Sequence, residues 1–154
     1  MMKSARNYFT KEDKEDISIA IKNAELDTSG EIRVHIENTC KGDAKDQAAY
    51  LFEKLNMHKT ELRNGVLFYL AVKNRKFAIL GDVGINQKVP ENFWDSIRDT
   101  MIDYFRENKF TDGLVKGIAM AGNQLKSNFP YQTDDVNELS DEVSFEDDLA
   151  EDKQ

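Results

Sequence analysis

Asp27, Glu31, Arg63, Asn64 and Asp82 are four oxygen donors and one guanidinium, and they come from separate short segments of the chain. Such a mixture suits a hard cation: Ca2+ takes six to eight oxygens from carboxylates, amide and backbone carbonyls and water. Gly81 and Gly84 flank Asp82 closely enough for backbone carbonyls to take part. With a cation in place to polarise a phosphoryl oxygen, Arg63 has the fork geometry to clamp a phosphate, and Asp82 the carboxylate to ligate or to act as acid–base. The same residues also have a purely structural reading. Asp and Asn beside strands form turns, and an arginine near a carboxylate pairs with it.

Other reactive residue types lack supporting company. His35 falls on the outer face of its strand and His58 follows a helix, with no carboxylate at a diagnostic spacing, so both are expected at the surface. Cys40 reads as a plain free thiol, and Trp94 with Phe93 and Phe105 as core. Gly81-x-x-Gly84 is not a dinucleotide fingerprint, and no Walker, Cys-x-x-Cys, His-Glu-x-x-His or Gly-x-Ser-x-Gly motif occurs.

The elements that must position the five residues can be read from periodicity. Thr10 and Asp13 form a capping box, and Ile17, Ala20, Ile21 and Ala24 repeat at helical spacing, giving a helix over about residues 10–26. Ile32, Val34 and Ile36 alternate along a strand with one buried face. Asp43 opens a second helix with Ala48, Leu51, Phe52 and Leu55 as its stripe. Val66–Val72 is apolar throughout, as a strand covered on both faces must be. After a short turn Phe77–Leu80 returns antiparallel. Pro90 suits the start of a third helix carrying Ile97, Met101, Tyr104 and Phe105, and Asp112 can cap a fourth, which ends at Phe129-Pro130.

This order predicts an α/β fold, a three-layer α/β/α sandwich in which a small mixed sheet has helices on both faces. A strand–helix–strand crossover makes the first two strands parallel. Glu31 and Asn64 then start at the same end of the sheet, and the hairpin brings Gly81-Asp82 back to it, with Asp27 just before the first strand. All five residues are expected to converge there.

The chain has 154 residues, 40% of them apolar, which is enough for one domain with a core. Residues 1–9 read as an N-terminal extension and 10–130 as the domain. Residues 131–154 hold ten acids and one lysine, while the rest hold 19 acids and 20 bases. A neutral body with an acidic tail argues against nucleic-acid binding. The tail's composition predicts disorder, with a short docking helix through Val136, Leu139 and Val143 as the alternative. The single cysteine, the absence of an apolar leader and a longest apolar run of seven residues predict a cytoplasmic protein with no membrane insertion.

Ser29-Gly30-Glu31-Ile32-Arg33-Val34, Arg63-Asn64-Gly65-Val66-Leu67-Phe68, Lys76-Phe77-Ala78-Ile79-Leu80-Gly81-Asp82-Val83-Gly84-Ile85 and Phe110-Thr111-Asp112-Gly113-Leu114 together resemble the TPM domain family. That family includes a thylakoid acid phosphatase, a photosystem II repair protein and an auxiliary subunit of a nematode acetylcholine receptor. The resemblance implies an α/β/α sandwich, divalent-cation binding by acidic loop residues (Ca2+ in particular, or Mg2+), and acid phosphatase activity in some members. It adds Asp112 to the metal candidates Asp27, Glu31, Asn64 and Asp82, with Asp82 and Arg63 as the catalytic candidates. Two functions are therefore expected to compete. One is a metal-dependent phosphatase on phosphomonoesters. The other is a non-catalytic module, regulated by Ca2+, that docks on a protein partner. The turn Gly81-Asp82-Val83-Gly84 departs from the Gly-Tyr-Gly-like turn common in the family.

Overall fold

A computed structural model describes residues 5–131 and 141–150. The first helix, α1 (Lys11–Glu25), starts where its capping box predicts: Thr10 Oγ accepts the Asp13 amide and the Asp13 carboxylate accepts the Thr10 amide. It buries Ile17 and Ile21 completely. Strand β1 (Glu31–Glu37) follows, then α2 (Ala44–Lys54), capped by Asp43 through the amides of Lys45 and Asp46. Strand β2 (Gly65–Ala71) is buried at every position, and β3 (Lys76–Gly81) returns beside it.

The predicted pairing holds. β1 and β2 are parallel with Glu31 opposite Gly65, and β2 and β3 are antiparallel with Val66 opposite Gly81. On one face Ala48, Leu51 and Phe52 of α2 cover Leu67, Tyr69, Ala71 and Ala78. On the other, α1, α4 (Asp95–Arg106) and α5 (Phe110–Asn128) cover Ile32, Val34, Ile36, Val66, Phe68 and Leu70. The α/β/α sandwich is thus two separate cores on a four-stranded sheet of order β3-β2-β1-β4, where β4 is Ser144–Phe145. Helix α5 lies centrally, between α1 and α4. Gly122 permits its approach to α1, since a Cβ there would stand 2.7 Å from that of Ala24.

Several expectations need correction. Pro90 does not open the third helix; the Pro90 and Asn92 carbonyls accept only three-residue-spaced bonds, from Phe93 and Asp95, and α4 begins at Asp95. A one-turn helix, α3 (Val83–Asn86), follows β3 and is capped by Asp82. Residues 5–9 of the N-terminal extension pack on the domain: a 3-10 turn spans Ala5–Tyr8, Ala5 and Phe9 are in the core, and Phe9 packs edge-on to Phe145.

The expected disordered tail differs most. Ser144–Phe145 forms β4, parallel to β1, and Glu146–Ala150 forms α6. Phe145 is 1% exposed, so one aromatic anchor outweighs the surrounding acidic composition. Val136 and Leu139 of the alternative docking helix lie outside the described residues. Among the described residues no helix is long and apolar enough to cross a membrane.

Candidate functional site

The end of the sheet where β1 and β2 begin and β3 finishes is stitched by backbone bonds. The Glu31 amide donates to the Asn64 carbonyl at 3.2 Å, and the Asp82 amide to the Gly65 carbonyl at 3.0 Å. Glu31, Arg63, Asn64 and Asp82 are therefore neighbours, as the crossover and hairpin require.

Arg63 has a left-handed backbone (φ 52°). Its Nε donates to Asp82 Oδ2 at 2.7 Å and its Nη2 to Oδ1 at 2.9 Å, a bidentate pair. Oδ1 also accepts the Val83 amide at 2.7 Å, which caps α3. The Asp82 side chain is 4% exposed and that of Arg63 46%. Hydrogen bonding to Asp82 holds the Arg63 guanidinium above its ordinary value. The Gly84 amide donates to the Arg63 carbonyl at 2.9 Å. A Cβ at Gly84 would sit 2.2 Å from the Leu62 carbonyl oxygen, so only glycine lets this turn close.

Asn64 is 2% exposed and donates its amide to the Ser29 carbonyl at 3.1 Å, while its backbone N–H meets Thr60 Oγ1 at 3.2 Å. Glu31 is also buried, at 3%.

Two candidates do not join the group. Asp27 is exposed and borders a crevice between α1 and α5 with Asn23 and Lys126. Asp112 is not a cap; it lies inside the first turn of α5, which Lys109 precedes. The other end of α5 meets the site, since the Ser29 amide donates to the Phe129 carbonyl at 2.8 Å. At 1.5 Å per residue this puts Asp112 roughly 24 Å away along the helix. Among the described residues no three His, Cys, Asp or Glu side chains gather closely enough to hold an ion.

Periodicity missed a second polar cluster. His35, expected at the surface, is fully buried under the β4 segment and beside Glu37. Ser144 Oγ donates to the Val34 carbonyl at 3.3 Å and meets His35 Nδ1 at 2.7 Å. His35 Nε2 stands 3.5 Å from Glu37 Oε2. Tyr69 Oη and Gln47 Nε2 donate to Glu37 Oε1 at 2.7 and 3.1 Å. Burial alone would raise the Glu37 carboxyl, but the neighbouring His35 and the hydrogen bonds from Tyr69 and Gln47 outweigh it and hold it below the ordinary range. Burial and the neighbouring Glu37 push the Tyr69 hydroxyl upward. The residue types are those of a nucleophilic relay, yet the serine proton is spent on Val34 and the imidazole has no exposed surface. The cluster is a tie between β4, β1, β2 and α2. Its signal in the sequence was the two-residue spacing of His35 and Glu37, which puts both on one face.

Cys40 is a buried free thiol, its Sγ 3.5 Å from the Gly42 carbonyl oxygen.

The profile of the TPM domain matches residues 2–124. Among solved structures, the BA42 protein of the psychrophilic bacterium Bizionia argentinensis is 43% identical, covering 94% of this chain and 99% of that one, with a TM-score of 0.86. The N-terminal domain of a protein from P. gingivalis is 18% identical over 79% of each chain, with a TM-score of 0.66. The N-terminal domain of cg2496 from Corynebacterium glutamicum is 13% identical over 78% of this chain and 76% of that one, with a TM-score of 0.63. These last two share the fold. No curated protein matches the chain significantly.

Proposed function

The chain belongs to the TPM domain family, and on that premise we propose that it is a non-catalytic, cation-responsive binding domain whose working edge is the Arg63–Asp82 end of the sheet. One observation carries this reading. The half-exposed Arg63 is bonded twice to a buried Asp82, and each partner has an exposed apolar neighbour in sequence, Leu62 at 47% before Arg63 and Val83 at 49% after Asp82. Apolar side chains set around an arginine have the make-up of a protein-docking patch. The fitting partner presents an acidic group to the outward side of Arg63 and an apolar surface to Leu62 and Val83.

The described residues do not fit a cage of several carboxylates, because no three of them cluster. They fit a weaker role for Ca2+ or Mg2+, as a competitor of Arg63 for the single carboxylate of Asp82, with Asn64 and backbone carbonyls as neutral oxygen donors. Such competition would loosen Arg63 and so regulate the edge. The acid phosphatase reading uses the same two residues with Arg63 as phosphate clamp. It stands second, since Asp82 is buried and already bonded to Arg63 and the Val83 amide, so it must part from Arg63 before it can act on a substrate.

The test is an NMR titration of the full chain with Ca2+ and then Mg2+, alongside phosphomonoester turnover. Shifts confined to residues 29–31, 62–65 and 81–85, stronger binding in Arg63→Gln, loss in Asp82→Asn and no turnover are the expected results. An absence of shifts at millimolar cation would remove the regulation. Turnover abolished by Asp82→Asn would move the assignment to a phosphatase.

A further inference from the structure

Residues 141–150 form a strap along the outer edge of β1, the edge that β2 does not occupy. Its backbone contributes little to the hold. β1 pairs with β2 along its whole length, Glu31 to Glu37, but with the strap only through His35–Ser144 and Ile36–Phe145. Side chains on both faces of the sheet do the rest. Phe145 enters the core under α1, edge-on to Phe9 and with the Arg6 guanidinium 4.4 Å from its ring centroid. Leu149 packs against the opposite core, the one under α2. Glu146 Oε1 accepts the Asn38 amide at 2.7 Å, and Arg6 Nη2 donates to Asp148 Oδ1 at 3.1 Å.

The strap does not use up this edge. A hollow of about 330 Å³ lies beside Val143 and Phe145, walled by Lys11, Lys14 and Glu15 of α1. Arg33 is on the face of β1 that carries His35, and its Nε is buried without a hydrogen-bond partner. Space and a donor are therefore left for a longer occupant. Nor does the strap belong to the common domain, since the family profile stops at residue 124.

We propose that the outer edge of β1 is a binding groove for an extended acidic segment of a partner protein, and that the strap is its tethered stand-in. The chemistry of the partner follows from what the groove already holds. Arg6, Lys11 and Lys14 line it, with Lys14 Nζ 5.8 Å from the centroid of the Phe145 ring, and the strap carries Glu142, Glu146 and Asp148. The fitting segment adds a strand to β1, places an aromatic side chain against Phe9 and Arg6, and has acids on either side of it. A sheet edge offers its backbone groups to any strand. The aromatic pocket and the cations supply the selectivity. This groove is separate from the Arg63–Asp82 end of the sheet.

Tethering sets the competition. Residues 132–140 join the strap to the domain, and a short linker holds its ligand at an effective concentration on the order of millimolar. A free segment of equal intrinsic affinity is excluded until the strap is weakened or the segment outnumbers it.

The probe is an unlabelled synthetic peptide of sequence 141–150, titrated into the isotope-labelled full chain. In Phe145→Ala the strap loses its anchor, and the peptide is expected to bind at least about tenfold more tightly than to the unaltered chain. Shifts are expected at residues 5–9, 14 and 33–38. In the unaltered chain, peptide at several times the effective concentration of the tether is expected to move the Ser144 and Phe145 signals, a readout independent of how the variant folds. Arg6→Glu is expected to weaken binding, and a peptide carrying Asp148→Lys to restore it. An absence of shifts in both chains, or shifts confined to residues 62–65 and 81–85, would overturn the groove. Dimerisation of the unaltered protein by exchange of straps between copies would overturn the partner reading and make the groove a contact between copies.

Discussion

Arg63 and Asp82 stand nineteen positions apart in the chain and are joined by two parallel hydrogen bonds of 2.7 and 2.9 Å. The pair spans the turn before β2 and the turn after β3, so it holds both ends of the hairpin to one mouth. Its partners are unequal, because Asp82 is buried and also caps α3, whereas Arg63 is half in solvent.

That asymmetry predicts unequal losses. Arg63→Ala opens Asp82 to water as it removes the cation, and its stability loss is expected to be the smaller of the two. Asp82→Ala also removes a helix cap and is expected to cost more, about 2 kcal/mol. Urea denaturation of the two variants measures the order. A larger loss for Arg63→Ala would mean that the guanidinium supports more than this carboxylate.

Gly84→Ala tests the closeness of the turn to the chain entering β2. The Cβ would meet two backbone oxygens, those of Leu62 at 2.2 Å and Arg63 at 2.6 Å, and neither can rotate away. A destabilisation of roughly 1–3 kcal/mol is expected, with chemical-shift changes concentrated at residues 62–65 and 82–86. An unperturbed spectrum would refute this contact.

Glu37 predicts a pH dependence of stability. Its carboxyl is held below the ordinary 4.5, so its contribution is present above that value and is lost as pH falls through the lower one. Glu37→Gln is expected to be less stable than the unaltered protein at pH 7, and the gap to narrow as pH drops below 4. Denaturation curves at several pH values measure that gap. A gap that does not change with pH would show that packing, and not ionisation, sets the role of Glu37.

Local periodicity and capping chemistry determined much by themselves. Thr10 with Asp13 marked the start of α1, Asp43 that of α2, and the apolar run Val66–Val72 the central strand. The crossover and hairpin then forced Glu31, Arg63, Asn64 and Asp82 to one end of the sheet, since strand direction follows from connection length. A two-residue strand such as Ser144–Phe145 has no period to read, and its acidic surroundings suggested disorder. Only the pocket formed by Phe9, Arg6 and the edge of β1 gives Phe145 its place. The burial of His35 and the displacement of Asp112 to the far end of α5 were likewise decided by tertiary structure. Each depends on segments remote in sequence, where no local pattern of side chains carries the information.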